Sequence, residues 1–330
     1  VLLMQLLSSW LILSHCISKS KLIISVFNSR KFSQVIPFLN IDIRMSAEAD
    51  AKKWSDTAKY YAVLAEKMPI VSHFNAIASE LLFKDSGASL VAGSTFVDVC
   101  AGPATFTLAS MKLMTPEQRT SINFLVSDFS QGMIDEAKKA VDVYLPGNTN
   151  VNFQVIDVQD IALPDESADV VGHMFGYFVP DRKKAFTEVF RITKTGGTVV
   201  IGVWKYAAMA PLLNDFLVYM NKTPKPNAMD IAHSCADGVA FRNELLGYGY
   251  SQVTVHESER VFALDIRERE LLMGLFSNPM ISAELAGLTP EFLFAEWDKF
   301  VRSPDFNFSF DAETNVLFVK YVANTVICVK

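Results

Sequence analysis

Phe96-Val97-Asp98-Val99-Cys100-Ala101-Gly102-Pro103-Ala104-Thr105-Phe106 decides the fold of this chain. Phe96 to Val99 is a short apolar, β-branched run, the pattern of a buried strand. Gly102 and Pro103 break it, and Thr105 to Met111 resumes as a helix-forming segment. A strand, a tight turn and a helix make the first half of a βαβ unit. Such a turn needs a residue without a side chain where backbone approaches a ligand, and the helix N-terminus favours electron-rich groups placed against it. Only one glycine of a G-x-G-x-x-G pattern is present, so the reading depends on what lies outward from it.

Working downstream, four more apolar runs alternate with helical patterns. Ile122 to Ser127, Val151 to Ile156, Asp169 to Met174 and Thr198 to Trp204 read as strands. Between them, Gln131 to Tyr144 reads as a helix with acids early and lysines late, the order its dipole prefers. Pro180 to Ile192 reads as another, with Ala185, Phe186, Val189 and Phe190 inward and Gly196-Gly197 as its stop. The alternation predicts a parallel α/β sheet covered on both faces, with right-handed crossovers and ligands beyond the carboxyl ends of the strands. Further on, Pro211 to Met220 and Val239 to Leu246 are predicted helices, Gln252 to His256 a strand, and Val316 to Val329 strand-like. Upstream, Ala51 to Lys67 places Trp54, Ala58, Tyr61 and Leu64 on one helical face, and Val71 to Phe83 makes a second helix.

Composition bounds the function. The formal charge of −6 argues against nucleic acid or an acidic membrane as partner, since both need clustered Lys and Arg. Half of the chain is apolar, enough for a sizeable core. Its four cysteines are scattered, without CxxC or His at ligand spacing, which predicts reduced thiols and no metal site. Val1 to Leu13 is strongly apolar and shorter than the roughly 20 residues of a membrane span. The composition changes at Met45, which reads as a native start, so residues 1–44 are expected to be an extension outside the fold and 45–330 the functional domain. A cytoplasmic location is expected, with a signal peptide or anchor, or organelle targeting, by 1–44 left open.

The carboxyl ends of the first three strands carry acids: Asp98, Asp128 and Asp157. A carboxylate at the end of strand two can accept both hydroxyls of a ribose, and one at the end of strand three can receive an exocyclic amine. A single Asp after a strand is commonly a helix cap; three in register suggest a nucleoside site.

With these residues in view, the chain resembles the class I S-adenosylmethionine-dependent methyltransferases, particularly those similar to the ubiquinone/menaquinone-biosynthesis enzymes. Asp98-x-Cys100-x-Gly102-x-Ala104 stands where the family has D-x-G-x-G-x-G, and Asp128-Phe129-Ser130-Gln131-Gly132-Met133 matches D-x-S-x-x-M. Asp157-Val158 through Leu163-Pro164-Asp165 to Val171, Arg191 to Gly197 and Gly249 to Val253 match three later motifs. The resemblance implies a Rossmann-like, doubly wound, seven-stranded, mostly parallel sheet with an N-terminal helical cap. The helical block 266–301 carries one apolar stripe of Leu271, Leu272, Leu275 and Phe276 and another of Phe292, Leu293, Phe294, Trp297 and Phe300, which reads either as a C-terminal lid over an apolar acceptor or as a second small core. The resemblance also implies S-adenosylmethionine as cofactor, held by Asp98, Cys100, Gly102, Ala104, Asp128, Phe129, Met133, Asp157, Val158 and His173, and methyl transfer to a small molecule; the apolar block 266–301 suggests that this acceptor is apolar. Trp54, Tyr60 and Tyr61 correspond to a helix that covers the cofactor. His173, at the end of strand four, is the expected base where one is needed, with Tyr177 and His73 as weaker candidates. Cys100 departs from the motif, and because it carries a Cβ its backbone is expected to avoid positive φ. Two other readings are a non-catalytic cofactor-binding scaffold and an NAD-dependent dehydrogenase. The dehydrogenase would want an acid about 20 residues past the glycines and leaves the later motifs unexplained.

Overall fold

The strands assemble in the order β3-β2-β1-β4-β5-β8-β6, with a three-residue β7 paired to β8 off this path. The computed structural model describes residues 36–330 apart from 86–89, 148–149, 178, 224–232 and 279–280, so most of the extension expected at 1–44 lies outside the described residues. The chain divides at residue 50 into Val1–Asp50, of which only residues 36–50 are described, and Ala51–Lys330. A helix, α1 (Ile36–Lys67), is the described part of the first and opens the second.

In the second unit, α2 (Ile70–Asp85) leads to β1 (Thr95–Val99), then α3 (Thr105–Leu113) and the short α4 (Pro116–Ser121). β2 (Asn123–Asp128), α5 (Gln131–Tyr144), β3 (Val151–Val155), β4 (Ala168–Met174), α6 (Arg182–Ile192) and β5 (Thr193–Ala207) follow. These five strands are parallel. α7 (Met209–Tyr219), α8 (Gly238–Leu246), β6 (Gln252–Asp265), α9 (Arg269–Phe276), α10 (Pro290–Val301), β7 (Ser309–Asp311) and β8 (Val316–Val329) complete the chain. β8 runs antiparallel to both β5 and β6. The sheet core is apolar on both faces, with Phe96, Phe124, Val126, Phe186, Val189 and Ile201 all buried. Burying aliphatic and aromatic side chains on this scale, at about 25 cal/mol per Å², is the main stabilising term.

Three boundaries differ from expectation. The Gly196-Gly197 pair does not end α6, which stops at Thr193 in extended backbone. The two glycines instead pair with the C-terminal residue, Gly196 N–H donating to Lys330 O and Lys330 N–H to Gly197 O. On α6 itself, Ile192 is buried and Phe190 only half-buried, packed edge-on against Tyr250. β6 runs nine residues past His256, pairing with β8 from Gln252–Val329 to Asp265–Val316. Its charged residues survive in a strand because Glu257 and Glu259 meet Lys205 and Lys320 on the exposed face.

The block from 266 to 301 folds into α9 and α10, joined by turns. Its aromatics close a second core against α7: Phe216 lies 5.6 Å from Phe276, 5.0 Å from Trp297 and 5.4 Å from Phe300. Phe292, expected in the same stripe, is 46% exposed.

Candidate active site

Five residues separate the end of β1 from the start of α3, so the chain reverses steeply. Cys100, Gly102 and Ala104 all take the left-handed conformation, with φ of 52°, 52° and 60°. The expectation that Cys100 would avoid positive φ is therefore corrected. Alternate residues of the turn must be left-handed for it to close, and two of the three carry a Cβ. Each such residue costs roughly 1–2 kcal/mol, so the turn is held from outside. Ala101 N–H donates to Ser127 O at 2.9 Å and Gly102 N–H to Asp128 Oδ2 at 3.0 Å. Room for the Cys100 side chain comes from Gly176, where a Cβ would lie 2.3 Å from Cys100 Cβ.

Ala104 occupies the N-cap position of α3 and has no side chain to cap it. Asp98 substitutes: its Oδ2 accepts from Thr107 N–H at 3.1 Å and from Thr107 Oγ–H at 2.6 Å. Its other oxygen, Oδ1, is buried without a partner. Burial raises this carboxyl to about 7 against the pull of the Thr107 bonds, and neighbouring Asp128 adds to the rise. Asp128 is also buried, and burial raises it. Its two oxygens accept from Gly102 N–H and Ser130 N–H, so it ties the turn to the start of α5. Asp157 is exposed, and its carboxylate accepts from both the backbone and side-chain amides of Gln159. Val158 and Met133 are buried beside these acids in sequence, and Phe129 is half-buried.

The residues 51–67 of α1 lie over the turn. A Cβ at Gly102 would be 3.8 Å from the Tyr61 ring, and Trp54 meets Tyr61 edge-on at 5.9 Å. Burial, helped by Asp128, pushes the Tyr61 phenol up to about 12. Tyr60 instead carries Lys59 over its ring. Ser55 makes the closest link: its Oγ lies 2.9 Å from Ser130 Oγ and accepts from Gly132 N–H at 3.2 Å. A Cβ at Gly132 would fall 2.7 Å from the Ser55 backbone. Sequence reasoning missed Ser55, Thr107 and Gly176. The spacing of Ser55 one residue after Trp54 gives no signal, because its partners are more than seventy residues away.

His173 stands across the sheet from Asp98. Register pairs Asp98 with Gly172 and Val99 with His173, so the imidazole points to the opposite face. It is 1% exposed, with its ring 5.4 Å from Phe186 and no hydrogen-bond partner on either nitrogen. Burial lowers it to about 4, with the backbone carbonyl of Gly176, which favours a protonated ring, acting the other way. A neutral imidazole can take a proton, but this one is buried. Tyr177 Oη accepts from Trp204 N–H. His73 is half-buried at the edge of an aromatic group, 5.7 Å from Phe262, and its value is lowered by partial burial and by Arg260.

That aromatic group is built on the residue after β4 and on side chains within β5, β6, β8 and α2. Phe175, itself left-handed at φ 57°, stacks on Trp204 at 4.0 Å, and Phe74 meets both. Phe262 and Tyr321 extend it along β6 and β8. The structure thus brings together Asp98, Cys100, Gly102, Ala104 and Asp128 under Tyr61, with the aromatic group one residue along from Gly176. It leaves His173 behind the sheet and the Asp157 carboxylate on Gln159. Among the described residues there is no cluster of three or more His, Cys, Asp or Glu able to hold a metal ion, and no helix long and apolar enough to cross a membrane.

Residues 58–233 match the profile of the ubiE/COQ5 methyltransferase family. A demethylmenaquinone methyltransferase of Streptomyces avermitilis is 25% identical over 185 residues, covering 55% of this chain and 74% of that protein. One of the same name from Renibacterium salmoninarum is 27% identical over 131 residues, 39% of this chain and 49% of that protein. Among solved structures, a protein of Bacillus halodurans described as a methyltransferase matches 76% of this chain and 97% of its own, at 14% identity and a TM-score of 0.49.

Proposed function

We propose, from the premise that the chain belongs to the ubiE/COQ5 methyltransferase family and is an S-adenosylmethionine-dependent methyltransferase, that it methylates a small, largely apolar acceptor. When bound, the cofactor supplies a methyl group on a sulfonium, already activated for in-line transfer. The orphaned, buried Oδ1 of Asp98 beside a turn of backbone N–H groups fits such a cationic, polar group. Asp98, Cys100, Gly102 and Ala104 shape the cradle, and Asp128 accepts the ribose hydroxyls. Phe129, Met133 and Val158 line the base, and Asp157 exchanges Gln159 for the exocyclic amine. Tyr61 and Trp54 shut water out from above.

The observation that supports the acceptor assignment is the Phe175–Trp204 stack with Phe74 and Phe262, where β4 ends beside β5. Ligand pockets are mostly apolar with few polar anchors, and Phe175 of this buried group adjoins Gly176, which faces Cys100 of the turn. The chain's part in the chemistry is alignment and exclusion of water. His173 serves as a wall: it is buried and neutral, and a proton leaving the acceptor goes elsewhere. α9 supports the cover from the acceptor side, with Gly274 against Leu64 and Glu270 paired to Lys67 on α1.

Titration calorimetry with S-adenosylmethionine tests the cofactor assignment. Asp128→Ala is expected to weaken binding by about 1.5–3 kcal/mol, the value of hydrogen bonds to a charged group. Unchanged affinity refutes it. Transfer of labelled methyl groups to apolar rather than charged small molecules in an acceptor panel tests the rest.

A further inference from the structure

Asp98 is the one acid of the site whose charge the protein does not answer. It is 1% exposed, and its two hydrogen bonds both fall on Oδ2, leaving Oδ1 alone. The surroundings supply no positive charge. From β4, Gly172 faces Oδ1, where a Cβ would lie 3.3 Å away, and the Phe106 ring of α3 packs over the same point. From β2 comes Asp128, a like charge, and from the turn Cys100, whose thiol is itself pushed up by burial and by the same acids. From α2, Asn75 spends its Nδ2 on Thr105, and its Oδ1 is also buried without a partner. His173 lies on the opposite face of the sheet. No ion pair reaches Asp98 among the described residues. A buried carboxylate without a cation neutralises itself by taking a proton. Oδ2 is engaged as an acceptor, so the proton belongs on Oδ1.

We propose that Asp98 carries a proton on Oδ1 in the cofactor-free protein and releases it to solvent when the cationic methionine end of S-adenosylmethionine is bound, so that cofactor affinity rises with pH across neutrality. The inference rests on the cofactor reading above. Only the O–H bond breaks, and the proton passes to buffer. With a free-protein value of about 7, the ionised fraction rises from about one tenth at pH 6 to about nine tenths at pH 8. Relative to Asp98→Asn, affinity should therefore gain about tenfold over that interval, following the linkage of protons to binding. Three neighbouring groups stay fixed there: Tyr61 titrates near 12, His173 near 4, and the Cys100 thiol well above its ordinary value.

Calorimetric titration with S-adenosylmethionine at pH 7, in two buffers of unlike ionisation enthalpy, counts the protons. The cofactor's own amine titrates at about 7.7–8.0 and contributes alike to every variant, so the readout is a difference. Wild type is expected to release about half a proton more than Asp98→Asn, and the variant's affinity should lose the tenfold rise. Equal proton counts and parallel pH profiles in proteins that both bind would overturn the inference while leaving the cofactor reading intact. No binding by wild type at any pH would remove that reading, and the inference with it. Thr107→Val guards against misfolding of Asp98→Asn. It deletes one of the two donors that favour the ionised form, and should move the midpoint of the affinity profile to higher pH. An unmoved midpoint counts against Asp98 as the source.

Discussion

Gly176→Ala tests whether Cys100 and Gly176 share one volume. The added Cβ would sit 2.3 Å from Cys100 Cβ, 2.8 Å from its Sγ and 3.1 Å from the His173 ring. Carbon atoms pack at about 3.5–4.0 Å, so more than an ångström must be found. Neither partner yields easily. Cys100 is followed by Ala101, whose N–H is bonded to Ser127, and by Gly102, whose N–H is bonded to Asp128. His173 is wedged against Phe186. Overpacking of this kind costs about 1–3 kcal/mol, which in a domain of this size lowers Tm by about 2–4 °C per kcal/mol. Cys100→Gly should rescue it, because it removes the opposing atoms and also relieves roughly 1–2 kcal/mol of left-handed strain. Against that stands the extra chain entropy of glycine, about 0.5–1 kcal/mol. Urea unfolding of the four proteins of the cycle gives the coupling, expected at about 1–3 kcal/mol in the rescuing direction. Additivity within about 0.5 kcal/mol would refute the shared volume and with it the account of how a Cys is accommodated in this turn.

Truncating the second core should unfold it rather than merely open it: Trp297→Ala and Phe276→Ala are each expected to cost about 3–5 kcal/mol in urea unfolding, and a loss below about 1 kcal/mol would show that these rings do not pack as a core. The pH dependence of stability holds two opposing slopes. His173, at about 4 in the fold against 6.5 outside it, contributes stability that is present above 6.5 and lost as pH falls through 4. Asp98, at about 7 against 3.8, contributes stability that is present below 3.8 and lost as pH rises through 7. Their contributions cancel between about pH 4 and 6.5, so His173→Phe should expose a falling curve and Asp98→Asn a rising one, each at about 1.4 kcal/mol per pH unit. Two parallel curves would refute the opposing titrations.

The sheet was legible where local pattern and tertiary context agree. Gln131–Tyr144 and Val316–Val329 have the bounds their periodicity predicts, because each is apolar on the side it buries. β6 was legible only in its first part. Past His256 the run Glu257-Ser258-Glu259-Arg260 has no strand signature, and what makes it a strand is β8, whose register lies some sixty residues away. Gly196-Gly197 looks like a helix stop from its neighbours alone, whereas its use is to receive Lys330 at the other end of the chain. The acids were legible as a series because each ends a strand. Their unequal states were not: Asp98 is buried and half-bonded, Asp128 is bonded on both oxygens, and Asp157 is exposed. Those differences come from what packs over each strand end.

The turn also shows where the glycine requirement of such a site resides. Two of its three left-handed positions carry side chains, and the space Cys100 needs is supplied by a glycine facing it. Gly176 faces Cys100, Gly172 faces Asp98, and Gly132 faces Ser55 of the covering helix. Space can be moved in this way, since either of two facing residues can lack a Cβ. Backbone strain cannot, because φ belongs to the residue itself. The roughly 2–4 kcal/mol stored at Cys100 and Ala104 is a sizeable part of a typical net stability of 5–15 kcal/mol. Opposing it are the bonds that fix the turn: Ala101 to Ser127, Gly102 to Asp128, and Thr107 to Asp98. Two of the three end on carboxylates. The same acids that suit a cationic nucleoside ligand therefore hold the strained turn in shape, and a change at either one should be felt in stability as well as in binding.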